Sequence, residues 1–152
     1  MKRQIHRTAA ILIVVASAAG AATVNAHDGA TGVVKERMKL MSTLGKSMKT
    51  MSAMVRGKVP HDAEKLRQAA LSIADHGGPR MTALFPEGSM QAPSEARPEI
   101  WQDWKSFSAL ADEVRARALA VAEAGDDQRK AAFRSLSRTC SGCHKDFRKK
   151  KK

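Results

Sequence analysis

The sequence has 152 residues, a length that suits a single domain, and a formal net charge of +12. Such a charge is typical of a soluble basic protein, and it also steers a protein towards acidic partners or anionic surfaces. We expect no nucleic-acid partner, because no recognised binding motif accompanies the charge. The two cysteines are too few to form the disulfide framework of a small secreted fold.

The N-terminal segment has the layout of an export signal. Lys2, Arg3 and Arg7 give a positive start, residues 9–22 are apolar or small, and small residues precede a predicted cleavage after Ala26. The alternative, a membrane anchor, is disfavoured because the apolar stretch is short and no later segment is apolar enough to span a bilayer. The sequence therefore predicts a signal peptide over residues 1–26 and an exported, not membrane-spanning, domain over residues 27–152.

The first half of the domain shows two helical patterns. Over residues 32–56 the apolar side chains recur every three or four positions, and Gly57 and Pro60 end the segment. A second helix is predicted to start with Asp62 as its N-cap and to end at the Gly-Gly-Pro stretch of residues 77–79. A short helical piece follows, up to Pro86.

The second half is predicted to contain a long loop and two more helices. Residues 86–98 are rich in proline, glycine and serine, which is typical of a loop. A third helix is predicted over residues 98–124, and Asp126 is predicted to cap a fourth helix that carries both cysteines. Four amphipathic helices with mostly short connections predict an all-α fold, an antiparallel four-helix bundle.

Residues 140–144, Cys-Ser-Gly-Cys-His, carry the most specific chemical signal in the sequence. On a helix, Cys140, Cys143 and His144 lie on one face, and C-x-x-C-H is the attachment signature of c-type haem. A redox dithiol is the first alternative, but such pairs usually follow a strand. A zinc site is the second, but a structural zinc ion needs four ligands, and the chain has no third cysteine.

A single C-x-x-C-H at the C-terminal end of a four-helix chain resembles the class II cytochromes c, the cytochrome c-prime superfamily. Most other small c-type cytochromes carry the motif near the N-terminus. Residues 34–41, 56–62, 83–86 and 97–101 also resemble the family's helix starts and turns, so the resemblance covers nearly the whole exported chain.

The resemblance implies roles for particular residues. One covalent haem c is attached through Cys140 and Cys143, and His144 ligates its iron. Arg37 matches a first-helix arginine that lies near a haem propionate, and Arg148 matches a basic residue beside the ligating histidine. Met41, sixteen positions before Gly57, is implied to cover the second axial face of the iron.

Two functions follow from the role of Met41. If its thioether binds the iron, the protein is a low-spin electron carrier with His/Met ligation, which is the function we expect, since a thioether suits haem iron. The alternative is a five-coordinate cytochrome c-prime that binds small gases such as nitric oxide or carbon monoxide. Methionine often only fills core space, and the same helix carries Met38, Met48, Met51 and Met54.

An enzymatic role is not expected, because peroxide cleavage needs polar acid and base groups and the first-helix face is mostly Met, Leu and Val. The expected location is the periplasm. The expected partners are soluble or membrane-bound redox proteins with acidic surfaces. Relatives in this superfamily often form homodimers through the first two helices, and the resemblance leaves that assembly open for this chain.

Overall fold

The computed structural model describes residues 29–150, so the predicted signal peptide and His27 lie outside the described residues. This part of the chain is mostly helical, and within it one isolated β-bridge stands in place of strands. The prediction of an all-α four-helix bundle is confirmed. The helices are α1 (Gly32–Val55), α2 (Ala63–His76), α3 (Pro79–Thr82), α4 (Glu99–Gln102), α5 (Trp104–Glu123) and α6 (Asp126–Phe147).

The four long helices α1, α2, α5 and α6 form the bundle, and α3 and α4 are single turns at its end. Helix α5 packs closely against both α2 and α6, and α1 packs mainly on α2, whereas α1 and α6 touch far less. The interior is apolar, as the helix periodicity predicts. The largest fully buried side chains are Phe107, Met51, Leu66, Ile73, Ile100, Leu136 and Val121.

Glycine permits the close approach of α2 and α5. A Cβ on Gly77 would lie 3.0 Å from both the Cβ and the backbone nitrogen of Arg115. The next residue, Gly78, has a φ of +61° and donates its N–H to the carbonyl of Ala111 at 2.8 Å. A side chain at either position would push the two helices apart or strain the turn.

The predicted third helix is wrong in one detail, because it is two helices. The backbone leaves helical geometry at Asp103, with φ −129° and ψ 58°, and the Asp103 carboxylate accepts the N–H of Ser106 at 3.2 Å. Asp103 thus caps the start of α5. The periodic apolar pattern continues across the break and hides it.

The predicted cap of the fourth helix is also wrong, whereas that of the second is confirmed. Asp62 accepts the N–H of Lys65 at 2.9 Å and caps α2. At α6 the capping position is Gly125, and Asp126 lies in the first turn, where its carboxylate pairs with Arg129. An acidic residue is still favourable there, because the helix dipole is positive at that end.

Within residues 29–150, no helix is long and apolar enough to cross a membrane.

Candidate functional site

The last two turns of α6 bring the two cysteines and His144 to one end of the bundle. Cys140 and Cys143 are half-buried and pack against the hydrophobic core. His144 is exposed, and it lies at the rim of a cavity of about 420 Å³. The rest of that cavity is lined by the basic residues Lys145, Arg148, Lys149 and Lys150.

Burial controls the acid–base chemistry of these groups. It raises the pKa of Cys140, and it raises the pKa of Cys143 to about 11, with further increases from Cys140 and Asp146. Both groups are therefore protonated thiols at neutral pH, whereas a redox dithiol needs a thiolate as its nucleophile. Partial desolvation and the charge of Arg148 lower the pKa of His144, against an opposing effect of Glu95. The imidazole is thereby kept neutral, the form that ligates a metal.

The facing surface of α1 is apolar and incompletely covered. Met41, Leu44 and Met48 are half-buried and pack on the edge of the core. Helix α6 contacts α1 only lightly, which leaves this face of α1 partly uncovered. Half-buried cysteines opposite an apolar, half-covered helix face fit a large apolar prosthetic group between these two helices.

The same environment does not fit a zinc site. Nowhere in residues 29–150 do three or more His, Cys, Asp or Glu side chains come together in a group able to hold a metal ion. The neutral His144 next to two protonated thiols instead suits a cofactor that brings its own metal and is held by sulfur bonds at its edge.

Arg37 is the most strongly anchored polar side chain near the site. It is only 5% exposed, and its guanidinium lies 4.1 Å from the centre of the Phe85 ring. All five of its N–H groups donate to the connection after α3, to the carbonyls of Leu84 and Ser89 and to the hydroxyls of Ser89 and Ser94, at 2.5–3.0 Å. The structure thus shows Arg37 as the anchor of this loop. Its contact with a propionate stays a prediction.

The loop that Arg37 anchors continues into a second contact, with the end of α6. Ala96 and Arg148 form an antiparallel bridge, in which Arg97 donates its N–H to Phe147 at 3.1 Å and Lys149 donates to Glu95 at 2.8 Å. The Nε of Arg148 also donates to the Glu95 carboxylate at 2.6 Å. We call residues 94–97 the strap. Sequence reasoning missed it, because a two-residue bridge carries no periodic signal.

A four-helix bundle whose last helix presents C-x-x-C-H, with half-buried thiols and a neutral histidine, defines a c-type haem protein. The sequence model of one protein family, described as cytochrome C', matches residues 32–148. The match spans well over half of the chain, which therefore belongs to the cytochrome c' family. As in that family, the chain carries one covalently attached haem c with its iron.

Individual relatives agree with this assignment. The chain is 32% identical over 123 residues to the cytochrome c' of Alcaligenes xylosoxydans xylosoxydans, covering 78% of this chain and 94% of that protein. It is also 32% identical over 123 residues to a cytochrome c-556 of Agrobacterium tumefaciens (strain II Chrys), covering 79% and 99%. A solved nitric oxide complex of a leucine-to-isoleucine variant of the Alcaligenes xylosoxidans cytochrome c prime superposes with a TM-score of 0.68. That structure is 27% identical and covers 78% of this chain and 94% of its own.

These findings correct the expected function. The family and relatives named cytochrome c', one of them solved with nitric oxide bound, contradict a low-spin electron carrier with His144 and Met41 as axial ligands. The structure supplies a physical reason. Met41 shares its half-buried position with Leu44 and Met48 on one apolar face, so packing alone explains a methionine there.

Proposed function

We propose that this chain is a five-coordinate, high-spin cytochrome c' that binds small diatomic gases, with nitric oxide and carbon monoxide as the ligand class. The observation that carries the proposal is the nitric oxide complex of a family member whose fold superposes on this chain over 78% of its length. When bound, the haem would supply an iron with a coordination position open to a gas.

In this proposal Cys140 and Cys143 hold the haem through thioether bonds and His144 is the single protein ligand of the iron. The half-buried thiols keep the attachment edge against the core. The exposed His144 ring is neutral and has a free nitrogen to offer. Arg37 is assigned to the same site because it fixes the loop beside it, and a propionate contact would be additional.

The α1 face forms the wall of the gas site. Met41, Leu44 and Met48 present carbon and sulfur atoms, which favour small neutral molecules over water and charged ligands. No acid or base on this part of α1 is placed to assist bond cleavage, so the proposed role is binding and not catalysis. Met41 is part of the wall.

Export is a second part of the proposal. We assign residues 1–26 to a cleaved signal peptide and residues 27–152 to the exported domain, with a periplasmic location. The basic residues around His144 suit an acidic redox protein, soluble or membrane-bound, that keeps the iron reduced for gas binding.

The test is the absorption spectrum of the holoprotein, made in a host that matures c-type haem. The reduced protein should show a broad high-spin spectrum that shifts on addition of carbon monoxide, and nitric oxide should also bind. Met41→Leu keeps the volume and removes the sulfur, so its spectrum before gas should equal that of the wild type, with Met48→Leu as the matched control. A sharp low-spin spectrum that does not respond to carbon monoxide would refute the proposal.

A further inference from the structure

The strap, residues 94–97, is a feature that the proposed function does not explain. It joins two distant parts of the molecule: Ser94 accepts a hydrogen bond from Arg37 of α1 at 3.0 Å, and Glu95 is bound to Arg148, one residue after α6. Ser94 also accepts the N–H of Ala96 at 3.2 Å, a hydrogen bond within the strap itself. The side chain of Arg148 lies one helical turn beyond His144 and lines the same cavity.

The Glu95–Arg148 pair lies at the surface, with the two side chains 44% and 37% exposed. Exposed ion pairs add little to stability, because water screens the charges and two side chains must be ordered. The pair does, however, lie close to His144, because Arg148 follows it by one helical turn and lines the same cavity. Glu95 therefore both places Arg148 and offsets its charge next to the imidazole.

We propose that Glu95 is a positioning residue for His144: its carboxylate holds Arg148 and, with the backbone bridge of the strap, fixes the last turn of α6 that carries the iron ligand. The inference rests on the proposed ligation of the haem iron by His144. Groups just outside a metal's ligands commonly fix the orientation of a ligating histidine. Here the carboxylate comes from a loop that Arg37 of α1 holds in place, so α1 and the strap together position the end of α6.

The experiment measures the iron–histidine stretching band of the reduced holoprotein by resonance Raman spectroscopy, together with the reduction potential. Glu95→Gln leaves the charge of Arg148 uncompensated next to His144. The band should move to lower wavenumber and broaden, and the potential should become more positive. Glu95→Asp keeps the charge and should give values close to the wild type.

Glu87→Gln is the matched control, since Glu87 is an exposed carboxylate of the same loop with no ion pair among the described residues. It should change neither the band nor the potential. The inference is overturned if Glu95→Gln leaves both unchanged, or if Glu87→Gln shifts them equally. If the wild type lacks the band altogether, the ligation by His144 fails instead, so the two failures are distinguishable. Haem content and circular dichroism check that each variant folds.

Discussion

Replacing Arg37 by alanine tests the most concentrated polar contact in the molecule. The side chain is 5% exposed, and every N–H of its guanidinium donates to the loop, to two carbonyl and two hydroxyl oxygens. Burial lowers the pKa of Arg37, but an arginine stays charged within any ordinary pH range. The variant therefore removes a buried charge whose bonding is complete.

The expected loss of stability follows from the groups left behind. Four oxygen acceptors lose a charged donor, at about 1 kcal/mol each, or about 4 kcal/mol together. The stacking of the guanidinium on Phe85 adds about 0.5–1 kcal/mol. Part of this loss is offset, because the variant no longer has to take a charged group out of water. Arg37→Ala should therefore lower the free energy of unfolding by about 3–5 kcal/mol. Arg37→Lys should retain less than half of this stabilisation, because lysine lacks the planar group of five N–H donors that arginine presents.

The assay is denaturant unfolding of the holoprotein followed by circular dichroism, combined with hydrogen exchange of the loop amides. In the variant the amides of Ser89 and Ala96 should exchange faster, because their acceptors are held by the anchored loop.

The control is Arg134→Ala, an exposed arginine of α6 with no hydrogen bond or ion pair among the described residues, which should change stability by less than about 0.5 kcal/mol. If Arg37→Ala loses less than about 1 kcal/mol and the loop amides exchange as in the wild type, the reasoning is refuted, because several buried acceptors left without a donor must cost more than that.

Three further outcomes are expected. Gly77→Ala should destabilise the holoprotein by about 1–3 kcal/mol in denaturant unfolding, because the new Cβ meets Arg115 at 3.0 Å, and a neutral result would contradict the close approach of α2 and α5. Asp62→Ala should cost about 1 kcal/mol in the same assay through loss of the α2 cap, whereas Asp62→Asn should cost little. Met41→Ala should speed carbon monoxide association in flash photolysis by opening the apolar wall, and an unchanged rate would move the gas site elsewhere.

Helical periodicity predicts most of the fold, because each long helix buries one stripe of side chains. The predicted bounds of the first two helices are close to those of α1 and α2. The errors lie at helix ends, where one hydrogen bond decides the outcome. Asp103 interrupts the helix although the apolar pattern continues across it, and the Asp126 carboxylate pairs with Arg129 instead of capping α6. Such choices depend on local backbone geometry, which composition does not encode.

The candidate site also combines a local part that the sequence predicts with long-range contacts that it does not. The spacing of Cys140, Cys143 and His144 is local, so the sequence alone predicts that they share a face. The bonds of Arg37 to Ser89 and Ser94 join residues more than fifty positions apart, and they exist only because α1 and the loop meet in the fold. A serine in a loop is ordinary turn chemistry, so neither partner signals the contact.

Met41 shows where chemical reasoning about one residue reaches its limit. A thioether binds haem iron well, so its chemistry favours ligation, yet the same flexible, polarisable side chain is also a good filler of apolar surface. The choice between the two depends on whether the sulfur gains more from the iron than from its neighbours, and that balance is set by how α1 is held. Met41 lies one turn after Arg37, which is fixed to the loop by five bonds. The position of Met41 is therefore set by long-range contacts of α1, which the chemistry of its own side chain does not reveal.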